Sequence, residues 1–219
     1  IDESKRETGV SKIIGLSSEK EGIVREEVKN RFQNHQGKEI LLDKILEVEK
    51  YEREKTKEEK KIIKDILERI PEFIKKYNGI PIEGLTENHI HILDKNKFDP
   101  ESIVNLREKG AYILAQQFIY IFDRGDNLSN ATVIVHELMH FNSFQSFESI
   151  GNKLATRRRV GFEIYAGKNR KKILFMEVNE AITEELNKRF NKDFFSGIPF
   201  LKNLVNETEE FKNKVPEKN

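Results

Sequence analysis

The chain contains no cysteine, and that one absence removes disulfide frameworks, thiolate zinc fingers, iron–sulfur clusters and cysteine nucleophiles together. It leaves the compartment open, because a thiol-free protein suits either redox environment. Net charge is nearly absent as well: 39 Lys and Arg face 38 Asp and Glu, leaving a formal +1. No whole-protein field draws in nucleic acid or anionic lipid, so any basic site is local and no nucleic-acid partner is expected. Long apolar runs are missing too. The longest, Ala111 to Phe122, is interrupted by Gln116 and Gln117 and falls short of the ~20 residues of a spanning helix, so no membrane span is expected. The glycines form no phosphate-cradling G-x-x-x-x-G-K pattern, which leaves nucleotide chemistry without a motif. An initiator Met and an apolar leader are lacking at Ile1-Asp2-Glu3-Ser4. That start reads as a trimmed or processed fragment and gives no cellular address.

What is present is 219 residues, 37% hydrophobic and 35% charged. The length suits one sizeable domain, or a domain with an extension, and the excess of charge over apolar content implies a polar, solvated arm. Residues 1–38 carry few large apolar groups and read as a flexible or partly helical segment, with a helix hinted only from Val24 to Phe32. Over residues 39–78, Ile40, Leu41, Ile45, Leu46, Ile62, Ile63, Ile66, Leu67, Ile70, Phe73 and Ile74 recur at spacings of three and four, predicting a charged helical region. Between Glu47 and Lys61, twelve of fifteen residues are charged, as on a solvated helix face, and Pro71 marks a kink or a fresh helix start.

Beyond Asn78-Gly79, His89 to Leu93 reads as a short strand. Asp99 before Pro100 caps a helix over 100–109 that Gly110 ends, and Ala111 to Phe122 fits two short strands or a bent edge strand. After a turn at Asp123 to Asn127, Ser129 or Asn130 caps a helix from about Ala131 that is apolar nearly all round, and such a helix belongs in a core. Arg157 to Tyr165 and Lys171 to Val178 read as a hairpin turning at 166–169. Asn179 caps a further helix to about Phe190, and residues 206–219 form a frayed tail. No internal repeat is visible.

Embedded in the apolar helix is His136-Glu137-Leu138-Met139-His140. Imidazoles four residues apart project from one helical face, one turn above the other, close enough to share an ion beside Glu137. With five His and thirty Glu in the chain, chance supplies this pattern only roughly 0.015 times, so coincidence is a poor account of it. Two imidazoles and a carboxylate in a buried helix also need compensation. A catalytic zinc site takes a third protein ligand, and no His follows His140. Ser143 and Ser146 occupy the positions where a metzincin has Gly and His. The downstream candidates are Glu148, Glu163, Glu177, Glu180, Glu184 and Glu185. Asn179-Glu180-Ala181-Ile182-Thr183-Glu184 favours Glu180, because it sets two carboxylates on one helix face, one to bind the ion and one to hold a ligand His.

Together these elements resemble the gluzincin, or thermolysin-like, family of zinc metallopeptidases, in a compact minigluzincin-like form. The resemblance covers roughly Ile80 to Phe190. It implies an α+β zincin core over residues 79–205, with a small mixed sheet, an active-site helix and a later Glu-bearing helix, preceded by the charged helical N-terminal region. It also implies Zn²⁺ held by His136, His140 and Glu180, with Glu184 orienting His136. Peptide bonds of a peptide or protein substrate would be hydrolysed by a metal-activated water with Glu137 as general base. Extended substrate would add as a strand along Ala111 to Phe122. The chain departs from the family twice. The interval from His140 to Glu180 is long and holds the hairpin, and a later His that stabilises the transition state is absent. That task falls to Tyr165, or else to Tyr112, Tyr120 or one of Arg157, Arg158 and Arg159. Val135, Met139, Ile182 and the pair Phe194–Phe195 are candidates for a specificity pocket. A catalytically silent zinc scaffold, a protein-interaction module and a latent proenzyme whose N-terminal region or tail covers the cleft stand as alternative readings. His89 with His91, and Phe141, Phe144 and Phe147, read as surface or packing features, and Arg157 to Arg159 favour a substrate contact near the zinc over nucleic-acid binding.

Overall fold

A run of isoleucines spaced three and four apart builds a 20-residue helix in the computed structural model, which describes residues 8–34, 50–97, 110–113, 117–150, 153–166 and 172–214. Helix α2 (Lys57–Lys76), which follows α1 (Ser18–Asn34), buries Ile62, Ile63, Ile66, Ile70, Phe73 and Ile74 along one stripe. It starts where the Thr56 side chain accepts the Glu59 N–H and the Glu59 carboxylate accepts the Thr56 N–H, satisfying two otherwise orphaned donors. The helix runs through Pro71 as one element, so no new helix begins there. The charged stretch before it is not helical from residue 51 to residue 56. Instead the Arg53 N–H donates to Ile92 O and the Asp94 N–H to Tyr51 O, laying this segment beside a strand. The helix expected over 39–49 and the one over 100–109 lie outside the described residues.

Among the described residues the fold is α+β, with five helices and two small mixed sheets. The first sheet has the order β2 (Ile90–Leu93), β4 (Phe118–Phe122), β3 (Gly110–Ile113); β2 runs parallel to β4 and β3 antiparallel. The Ala111 to Phe122 run is thus two short strands. Its central strand, β4, is buried along its whole length, and β3 forms an edge. The second sheet has the order β1 (Lys12–Ile14), β5 (Gln145–Ile150), β6 (Lys153–Val160), β7 (Glu163–Ala166), β8 (Lys172–Leu174), with β1 parallel to β5 and the rest antiparallel. The expected single hairpin is therefore divided. Gly161, at φ +53°, turns the chain between β6 and β7 inside the stretch read as one strand.

Helix α3 (Asn127–Asn142) starts four residues earlier than expected. Its cap is Asp126, whose carboxylate accepts the Ser129 N–H at 2.7 Å. Asn130 turns instead to the preceding loop, accepting the Arg124 N–H and donating to Asp123. Helix α4 (Met176–Phe194) likewise starts three residues before Asn179, with Phe175 in the left-handed region (φ 61°, ψ 25°) at its cap, a conformation that costs a bulky residue about 1–3 kcal/mol. Helix α5 (Pro199–Lys214) continues into the segment expected as a tail. One core joins Val10, Val28 and Phe32 from the N-terminal region to Ile66 and Phe73 of α2, Ile119 of β4, Ile134, Leu138 and Phe141 of α3, and Phe190 of α4. No helix of the described residues is long and apolar enough to cross a membrane.

The starts of α2 and α3 are tied by charge. Arg53 grips Glu59 with two bonds, at 2.6 and 2.9 Å, and Asp123 with a third at 2.7 Å. Asn130 donates to both carboxylates. The Arg53 guanidinium, against the pull of burial, holds Asp123 down to about 2, and the Gly125 N–H and Asn130 add to this. A carboxylate depressed in the native state stabilises the fold fully above its unfolded pKa of about 3.9 and loses that effect as pH falls through the native value. Asp123→Asn is therefore expected to lower the Tm at pH 7 and to converge on wild type near pH 2. A Tm deficit of equal size at both pH values would refute this account.

Candidate functional site

Helix α3 buries Val133, Ile134, Val135, Leu138, Met139 and Phe141, which fixes its rotation and leaves His136, Glu137 and His140 on the side that meets α4 and a cleft. Helix α4 brings Glu180 across. The imidazole Nε2 atoms of His136 and His140 lie 3.1 Å apart, and each is 3.3 Å from one oxygen of Glu180. These three side chains form a group able to hold a metal ion. Behind it, Glu184 lies one turn after Glu180 and places a carboxylate oxygen 3.4 Å from Nδ1 of His136. Glu137 lines the same cleft and is only 7% exposed, whereas the Glu180 side chain is 47% exposed.

Electrostatics follow this arrangement. Bonds from His136 and His140 hold the Glu180 carboxyl well below the usual carboxylate range, against the effect of its partial burial. Burial pulls the His136 imidazole down, but Glu180, Glu137 and Glu184 outweigh it and leave its pKa above the ordinary histidine value.

His140 is held from two sides. Its carbonyl accepts the Ser143 hydroxyl at 2.7 Å and the Gln145 side-chain amide at 2.9 Å, both just past the helix end, where carbonyls lack helical partners. Its Nδ1 faces the Asn179 amide at 3.5 Å. That amide accepts the Phe162 N–H at 3.0 Å and lies 3.3 Å from Glu163 Oε1. Gly161 makes this possible, since a Cβ there would collide with Asn179 Oδ1. Gly110 does the same for the opposite wall: a Cβ there would come within 2.8 Å of Tyr120 O and 3.0 Å of Val133 Cγ1, so glycine lets β3 lie close against α3.

The cleft encloses about 540 Å³. Helix α3 is its floor, the edge strand β3 one wall, and the sheet face carrying Val160, Glu163, Tyr165 and Ile173 another. The strand registers place those four side chains together, with Val160 opposite Glu163 and Tyr165 opposite Ile173. Tyr165 donates its hydroxyl to Glu163 Oε2 at 3.0 Å. Tyr112 also lines the cleft, but its hydroxyl accepts from Gln117 while its ring stacks on Phe141. Tyr120 is buried in a separate apolar cluster, and Arg159 bonds Gly161 O. The side chains of Glu148, Arg157 and Arg158 lie outside the described residues. Glu177 is exposed, and Glu185 pairs with Arg189.

The expected specificity residues are placed elsewhere. Val135, Met139 and Phe195 are packed in the core, and none of Val135, Met139, Ile182, Phe194 and Phe195 lines the cleft. Its apolar surface comes from Val133, Val160, Ile173 and Met176 instead. His89 and His91 do not act as a pair, since His89 bonds Phe32 O and His91 bonds Glu52. Of the three phenylalanines read as packing, Phe141 is fully buried and Phe144 exposed. The contact of Asn179 with His140 was missed: the residue beside Glu180 was legible, but its side chain was assigned to a helix cap. No model of a known family matches the chain, and no curated protein or solved structure matches it. The functional reading rests on the geometry of this site.

Proposed function

We propose that the chain is a zinc metallopeptidase of gluzincin type. One observation carries the reading: donor atoms from two helices converge at 3.1, 3.3 and 3.3 Å beside a buried carboxylate in an open cleft. A tetrahedral ion with ~2.0–2.1 Å bonds sets its ligands about 3.3–3.4 Å apart, which is close to the spacing of the two Nε2 atoms and of each from its own Glu180 oxygen, and two imidazoles with one carboxylate are a donor set zinc accepts. Bound there, zinc supplies Lewis acidity, polarising a substrate carbonyl and lowering the pKa of water toward ~7. The chain's own groups do the rest. Glu184 accepts the Nδ1–H of His136, which keeps the proton on Nδ1 and Nε2 free to ligate. Glu137 accepts a proton at its carboxylate and returns it to the leaving amine. Tyr165, whose hydroxyl donates to Glu163 in the cleft, is assigned to the developing oxyanion, exchanging that bond for one to substrate. Edge strand β3 offers backbone groups to an extended peptide, while Val160, Ile173 and Met176 receive its apolar side chains.

The test is hydrolysis of unfolded casein by zinc-loaded protein. Cleavage is expected, to vanish with a chelator and return with added zinc. A protein that holds one zinc and cleaves nothing would instead have a structural site, and the peptidase reading would fall.

A further inference from the structure

Helix α4 faces the cleft with one stripe, in which Met176, Glu180, Glu184 and Asn187 follow one another at successive turns. The last of these takes no part in the metal-binding group. Asn187 is 2% exposed, and its Oδ1 is out of contact with solvent and without a hydrogen-bond partner among the described residues. Leaving a buried amide oxygen unpaired is unfavourable, and an apolar side chain would fill the same place without that cost. The helix pairing explains why α3 does not serve it. The two helices run antiparallel, with Asn179 facing His140 and Glu184 facing His136, so the same step brings Asn187 level with Thr132 and Val133. Val133 has no polar side chain, and Thr132 gives its hydroxyl to Leu128 O at 2.9 Å. We infer that Asn187 is a substrate-binding residue: it accepts a backbone N–H of the peptide about three residues from the scissile bond. The inference rests on the cleft receiving an extended peptide.

Two lengths place that contact. Asn187 follows Glu180 by seven residues on α4, about 10.5 Å along the helix axis. An extended chain covers about 3.3 Å per residue, so a peptide whose scissile carbonyl lies at the metal-binding group is level with Asn187 about three residues away. The hydrogen-bonding capacity of such a peptide supplies the reason for an amide there. Strand β3 pairs with one edge only, and the N–H and C=O groups of the other edge face α4 and lose water as the cleft fills. Asn187 carries an acceptor and a donor at the two ends of one flat group, and a turn about its terminal torsion swings Oδ1 toward the cleft. The contact reads backbone and no side chain, so it adds affinity without sequence preference.

The experiment measures binding of a fluorescein-labelled casein decapeptide to the zinc-loaded full chain by anisotropy, with Glu137→Gln in place to keep the peptide intact. Each peptide N–H is replaced in turn by an ester oxygen. Adding Asn187→Leu is expected to weaken binding about 5–10-fold, the worth of one hydrogen bond. One ester, about three residues from the bond that wild type cleaves, should weaken binding to the parent by the same factor and cost nothing further in Asn187→Leu, because both changes remove one contact. The Leu variant should also melt at or above the parent, since it removes an unpaired buried amide. Equal binding by the two proteins, or ester losses that are the same in both at every position, would overturn the inference. So would a lower melting temperature, which would mean that the amide is bonded within the fold. Binding by the parent with no cleavage by wild type would sink the peptidase reading alone, and the ester series would still decide the role of Asn187. A parent that binds no peptide would overturn both.

Discussion

Glu180→Gln is expected to strip the metal. Purified wild type should hold about one zinc per chain, and the variant, prepared identically, almost none. Complete zinc sites in small domains contribute about 10–16 kcal/mol, so losing one of three protein ligands weakens binding by roughly 3–5 kcal/mol, about 10²- to 10⁴-fold. The amide is isosteric, and Glu180 is a half-exposed residue on the surface of α4, so the fold should survive and circular dichroism should not change. Glu184→Gln is the graded control, because that residue touches His136 at Nδ1 and is expected to weaken binding only about 10–100-fold. Zinc that stays in Glu180→Gln would remove the third ligand and the gluzincin resemblance with it.

The second large effect falls on rate, with binding left intact. Glu137→Gln is expected to keep one zinc per chain and to lose casein hydrolysis by about 10²–10⁴-fold, the range a positioned general base supplies. Two further consequences separate this from unfolding. The variant should bind substrate normally, since no recognition contact is removed. It should also melt at or above the wild-type temperature, because a carboxylate that is only 7% exposed is replaced by a neutral amide. Activity retained in Glu137→Gln would place the base elsewhere in the cleft.

Both residues were legible in the sequence for a physical reason. His136, Glu137 and His140 lie on one regular helix, where spacing translates directly into direction, and the apolar residues around them left three polar groups with no other explanation. Glu180 and Glu184 were legible by the same i,i+4 rule, once a second helix was assumed. The rest depended on non-local contacts. Strand β5 follows α3 after only two residues, and Phe141, Phe144 and Phe147 at helical spacing concealed the change of period. Gly161 inside a strand-like run was the one local sign that the hairpin was divided. The cleft walls could not be read, because Val160, Glu163, Tyr165 and Ile173 become neighbours only through strand pairing. Asn130 and Asn179 looked like helix caps, since a short amide serves equally well as a cap or a long-range anchor, and only the folded chain chooses.

Strand β1, only three residues long, reaches far in its effect. Lys12–Ile14 pairs in parallel with Ser146, Phe147 and Glu148 of β5, and Val10 and Ile13 are packed among the apolar side chains beneath. β5 in turn carries β6, whose far end forms part of the cleft. Clipping the polypeptide between this strand and α1 would therefore take a stave from the barrel instead of a stopper from its mouth. These residues serve the cleft as scaffolding, and their removal would loosen its wall.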